Sequence, residues 1–158
     1  VFMYVGLLAL TMARHFLGAP VEGKMTPTLW VHLAPLSVIP LSMLALLKTT
    51  GDASLLRYGS LVAAAFLGAA LWWLVLAVSM TIRNRRQGKL PFALSWWAFV
   101  FPIGACSVLA YRVSELLALE VLPLVASGLT LLALFVWSAT ALGTVRDIRT
   151  GAIFAPAH

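Results

Sequence analysis

Charge is what this sequence has least of. Only 10% of its 158 residues are charged, where a soluble domain carries about 25%. With 62% hydrophobic residues and a mean hydropathy of +1.00, the chain cannot cover a globule with polar groups, so lipid is its solvent. Acids are scarcer still: Glu22, Asp52, Glu115, Glu120 and Asp147 all lie at the ends of apolar segments or between them. A single cysteine, Cys106, excludes an intrachain disulfide and a paired-thiol redox site. No cluster of His, Asp, Glu or Cys gathers at one depth, as an enzyme or a metal centre requires. The expectation is therefore no enzyme, no catalytic residue, no metal and no cofactor. The opening VFMYVGLLALTM has no basic leader and no small-residue cleavage site. It reads as the remainder of a helix that begins upstream rather than as a signal peptide, which makes the chain a fragment of something longer.

Four apolar stretches reach the roughly 20 residues that a helix needs to cross about 30 Å of hydrocarbon. They are 27–47, 58–82, 91–111 and 121–143, with a shortened fifth at 1–13. The expected fold is all-α and integral to the membrane: antiparallel transmembrane helical hairpins, about five helices, in one transmembrane unit spanning 1–158. The net charge of +6 could point to nucleic acid, but the basic residues fall in short runs between apolar segments, which is the pattern of membrane topology. Nucleic acid is not expected as a partner. Arg14, Lys24, Arg83, Arg85, Arg86, Lys89, Arg146 and Arg149 fall on one side; Lys48, Arg57 and Arg112 fall on the other. The richer side is cytoplasmic, so 27–47 and 91–111 run outward and 58–82 and 121–143 run inward.

The two outward segments share a pattern. WVHLAP places Trp30 five residues before Pro35, and WAFVFP places Trp97 five residues before Pro102. The offset of one helical hairpin between them points to a repeat of one bent and one straight helix, a common device in transporters. Proline removes a hydrogen bond and pushes on the carbonyl four residues earlier, here those of Val31 and Ala98. A freed carbonyl is costly in lipid, so such helices belong inside a bundle or beside a wet cavity.

At these residues the chain resembles a known family. PFALSWWAFVFPIGACSVLAYR is similar to the ninth transmembrane helix of the TehA and slow-type anion channel family, and PTLWVHLAPLSV to its seventh. The order of segments and the basic loop between them agree, so the resemblance runs over nearly the whole chain. It implies the last half of a ten-helix pore fold, in which bent odd-numbered helices line a central pore and trimers form. A phenylalanine on the ninth helix occludes that pore, and Phe101 matches it. The resemblance further implies small inorganic or organic anions as cargo, of the tellurite, C4-dicarboxylate or sulfite type. The setting it implies is a multi-pass protein of the cell membrane, in bacteria the inner one.

Leu94, Ala98, Phe101, Ala105, Val108 and Arg112 recur at helical spacing and form one stripe. With Pro35, Ala98, Pro102, Gly104 and Ala105 as pore-lining or helix-bending positions, the aromatic ring is the obstruction in an otherwise thin wall. Arg112, at the outer end, is a candidate for attracting anions, against a surface ion pair with Glu115. His32 is the ionisable residue deepest in a segment; it is read as bonded to a neighbouring helix, or else as pore-lining and anion-attracting. Trp72 and Trp73 are read as facing lipid or a second subunit, and Cys106 and Ser107 as small packing residues. An uncharged lumen with basic mouths suits a passive anion channel or transporter. The alternatives are a proton-coupled organic-acid carrier and a non-conducting membrane interaction protein.

Overall fold

The computed structural model describes residues 2–17, 26–90 and 92–151; Glu22, Lys24 and Pro91, used in the sequence reading, lie outside them. Every regular element among the described residues is helical: α1 (Phe2–Leu17), α2 (Thr26–Val31), α3 (Leu33–Thr49), α4 (Ala53–Arg86), α5 (Trp97–Leu117) and α6 (Leu122–Thr150). Four stretches are long and apolar enough to span a membrane: Leu29–Thr49, Ala53–Arg86, Leu94–Leu117 and Leu122–Thr150. The multi-pass, all-helical expectation is met.

Hydropathy does not set where these helices end; capping does. α4 outruns its apolar stretch at both ends. The Asp52 carboxylate accepts the backbone N–H groups of Ser54 and Leu55 at 2.8 and 3.1 Å, satisfying donors that a helix start leaves orphaned. Arg83, Arg85 and Arg86 fill the last turn, where cations meet the negative end of the helix dipole. α6 carries Pro123 in its first turn and stops at Gly151 in the left-handed region, φ 72°. Short turns at 50–52 and 118–121 return the chain on itself.

α3 packs against both α4 and α5, and α5 against α6, so α3 and α5 form the centre. Leu33, Ile103, Cys106, Leu109, Ala110 and Val113 are fully buried there. α6 is the least covered of the spans. In lipid, apolar contact between helices gains no hydrophobic free energy, so close packing and interhelical hydrogen bonds carry the association. The buried amide of Asn84, for example, donates to Thr26 Oγ1 at 2.7 Å and ties the end of α4 to the start of α2. Cys106 and Ser107 are both buried, and Ser107 bonds the Ala126 carbonyl and Thr130 of α6.

The two proline-bearing spans, Leu29–Thr49 and Leu94–Leu117, are not alike. The first is interrupted at His32, one residue past Val31, whose carbonyl cannot take the usual hydrogen bond from position 35 because proline has no N–H. It also contains a buried second proline, Pro40, which the repeat did not single out. The second begins as a 3-10 turn, Leu94–Trp96, and then continues unbroken through Pro102.

One reading is corrected here. Trp72 is half exposed, but Trp73 is 2% exposed and faces the bundle. Its indole N–H donates to the Leu29 carbonyl at 2.7 Å. Adjacent helical residues lie 100° apart, so the two tryptophans could not share an environment.

Candidate functional site

Phe101 projects from α5 immediately before Pro102, and its ring is 65% exposed. The rest of its stripe is open as well: Leu94 and Val108 are exposed, and Ala98 and Ala105 are half-buried. Gly104 faces empty space, since a Cβ there would meet nothing within 4 Å. The opposite side of the same helix is the core, with Phe99, Pro102, Ile103 and Cys106 buried. α5 is thus a two-sided helix, packed on one face and open on the other, where Phe101 projects and Gly104 and Ala105 keep the wall beyond it thin.

Phe101, Gly104 and Ala105 line an open apolar groove of about 720 Å³ with Val38 and Leu41 of α3 and Leu134 and Trp137 of α6. Phe101, Ala105 and Val108 of the sequence stripe fall in the α5 wall of this groove. The stripe missed the α3 and α6 walls, because no single-helix periodicity shows which neighbours flank a face. Of the other sequence candidates, Pro102 is buried behind the groove, and Pro35, Ala98 and His32 are half-buried away from its lining.

His32 lies on the far side of the centre. Its ring packs edge-on against Trp73 of α4, with centroids 5.2 Å apart, and 6.2 Å from Tyr4 of α1. Its carbonyl accepts the Tyr4 hydroxyl at 2.9 Å. The interruption between α2 and α3 is therefore held from two sides, by Tyr4 and by Trp73.

Arg112 marks the C-terminal end of the stripe. Its guanidinium meets the Glu115 carboxylate at 3.0 Å with both side chains mostly exposed, so the ion pair weighed in the sequence exists. The pair also lines a separate pocket of about 330 Å³ with Lys48 of α3 and an apolar floor of Leu41, Leu44 and Leu56. In the sequence Lys48 is only a topology charge; the fold places it on the rim of the same pocket as Arg112. Among the described residues no group of His, Cys, Asp and Glu could hold a metal ion.

The repeat has a structural counterpart that sequence reading passed over. Trp30 Nε1 donates to Thr81 Oγ1 at 3.0 Å, and the Thr81 hydroxyl donates to the Ala77 carbonyl. Trp97 Nε1 donates to Thr144 Oγ1 at 3.2 Å, and the Thr144 hydroxyl donates to the Thr140 carbonyl. In each hairpin the tryptophan upstream of the proline is tied to a threonine of the returning helix. The threonines are set one helical turn off the register of the tryptophans, which is why comparing the segments at a fixed offset does not align them.

Residues 1–145 match the protein family described as SLAC1, voltage-dependent anion channel. Two proteins of Methanocaldococcus jannaschii are similar, both named only as uncharacterized transporters. MJ0576 is 30% identical over 153 residues, covering 97% of this chain and 44% of its own length. MJ0762 is 29% identical over 153 residues, covering 97% of this chain and 45% of its own length. The chain thus spans about half the length of the curated relatives it matches. No solved structure matches it.

Proposed function

The chain belongs to the SLAC1 voltage-dependent anion channel family, and from that premise we propose that it supplies part of a passive anion pathway gated by Phe101. The observation that carries this reading is the placement of the exposed Phe101 ring beside Pro102, followed on the same face by Gly104, Ala105 and Val108. A hydrophobic constriction closes a pore without any charge, because it excludes water and the ions that travel with water. Moving one ring off the axis restores a wetted path. Lys48 and Arg112 at the outer end, and the arginines that end α4 and α6, raise the local anion concentration at the two mouths. The described spans place no acidic side chain at mid-depth, so nothing in them traps a cation or repels an anion.

The cargo is a small inorganic or organic anion, of the tellurite, C4-dicarboxylate or sulfite class. The assembled unit is a homotrimer in a cell membrane, the inner one in bacteria, and its work is transport rather than catalysis. The test is anion efflux from liposomes containing the whole protein. Phe101→Ala should raise basal efflux with little loss of folded protein. Unchanged efflux from intact, correctly inserted protein would make Phe101 ordinary packing and end the gate reading.

A further inference from the structure

Trp97 and Phe101 are four residues apart on α5, so they lie one above the other on the same face. Phe99, on the opposite face, is buried edge-on against Trp30 at 5.2 Å and against Trp96 at 5.8 Å between ring centroids. The segment 97–101 therefore has a pivot at Phe99, a tie at Trp97 and a projecting ring at Phe101.

Beyond Pro102 the same helix is bound to α6 by buried or short polar links. Ser107 bonds the Ala126 carbonyl at 2.9 Å and Thr130 at 2.7 Å, and Tyr111 bonds Ser127 at 2.9 Å. Before Pro102 the link is Trp97 to Thr144, at 3.2 Å and in the open, with Trp97 40% exposed. The matching link of the first hairpin, at 3.0 Å, is more deeply buried, with Trp30 4% exposed. One turn along α6, the hydroxyl of Thr140 is buried without a partner. A buried donor left unpaired is a cost that native structures rarely carry, so this junction is not at its best-satisfied arrangement.

We propose that the Trp97–Thr144 hydrogen bond is a latch. While it is made, it fixes segment 97–101 and with it the direction of Phe101. When it breaks, the segment turns on Phe99 against the proline-weakened backbone at Pro102, and the ring leaves the groove. Trp97 and Thr144 are positioning residues that act through Phe101. Trp30 and Thr81 hold the first hairpin by the same chemistry but are sealed, and do not release. The inference rests on the gate reading above.

The test uses the whole protein and two readouts, backbone hydrogen exchange of residues 94–101 and basal anion efflux. Thr144→Val keeps the shape and removes the acceptor. It should speed exchange in that segment and raise efflux roughly three- to fifteenfold, the equilibrium shift that losing one interhelical hydrogen bond in a membrane bundle produces. Thr144→Ser, which keeps the hydroxyl, should restore both readouts. Thr81→Val should leave efflux unchanged. Unchanged exchange with Thr144→Val, or faster exchange without added efflux, overturns the latch. If Phe101→Ala raises efflux and Thr144→Val does not, the gate stands and the latch falls. If Thr144→Val raises efflux and Phe101→Ala does not, the bond controls something other than Phe101, and both the gate and a latch acting through it are overturned.

Discussion

The two hairpins begin from the same sequence device and reach different mechanical states. In α2, α3 and α4 the proline breaks the helix outright, and the break is then secured. Tyr4 bonds the His32 carbonyl, Trp73 bonds the Leu29 carbonyl, Trp30 bonds Thr81, and Asn84 bonds Thr26. In α5 and α6 the helix continues through the proline, and the segment before it is tied by an exposed bond beside an unpaired hydroxyl. A proline by itself therefore says little about motion. What decides is how many of the groups around it have partners and how deeply those partners are buried. The secured hairpin carries Ala34 at the repeat position of Phe101, so the bulky ring sits on the looser copy.

The largest effect that can break this comparison lies in the tryptophans. Trp30→Ala empties a buried site and removes both the contact with Phe99 and the hydrogen bond to Thr81. A loss of about 3 kcal/mol in stability is expected, at the lower end for buried tryptophan truncation. Trp97→Ala should cost only about 1 kcal/mol, the scale of one partly exposed interhelical bond. Reversible unfolding in mixed detergent micelles measures both. Equal losses would mean that the hairpins are equally secured and that exposure misleads.

The helices, their number and the doubled Trp–Pro pattern were legible in the sequence, because long apolar runs and proline spacing are local properties. The exposed face of α5 was legible for the same reason: Ala98, Phe101, Ala105 and Val108 recur at the helical period. What the sequence withheld depends on neighbours. Trp73 faces the bundle and not lipid or a second subunit, and the sequence cannot show this, since in a chain this apolar both faces of α4 look alike. Lys48 and Arg112 come together only because α3 and α5 pack side by side. The helix ends were set by Asp52 and by terminal arginines, which a hydropathy window discards.

A second, smaller contrast lies in two glycines of the returning helices. A Cβ on Gly143 of α6 would sit 2.6 and 2.8 Å from Cζ and Cδ2 of the Phe92 ring, and one on Gly59 of α4 would press on a terminal methyl of Leu47. A ring edge yields less than the end of a leucine. Gly143→Ala should cost about 1–3 kcal/mol by overpacking, and Phe92→Leu should recover part of it. Gly59→Ala should be close to neutral, because Leu47 can change rotamer and alanine favours the helix over glycine by roughly 0.5–1 kcal/mol. The same unfolding measurement reads both. A neutral Gly143→Ala would show that Phe92 and the α5 entry are free to shift, extending the looseness of this hairpin beyond the latch.

The smallest effect is expected where the end of α3 meets the end of α5. Lys48 comes from the first and Arg112 from the second, and they line one pocket with Glu115. An exposed ion pair such as Arg112 with Glu115 contributes little to stability, since water and salt screen it and two long side chains must be ordered. If its role is the field at the mouth, the signs of three substitutions are fixed in advance. Arg112→Gln and Lys48→Gln should each lower anion efflux by roughly twofold at low ionic strength, the scale of a few tenths of a kcal/mol. Glu115→Gln, which removes the negative partner, should raise it. All three effects should fade near 0.15 M salt, where the screening length is about 8 Å. A loss with Glu115→Gln as large as with Arg112→Gln, persisting at high salt, would instead assign the pair to holding the last turn of α5. The two hairpins would then share a surface but not an electrostatic task.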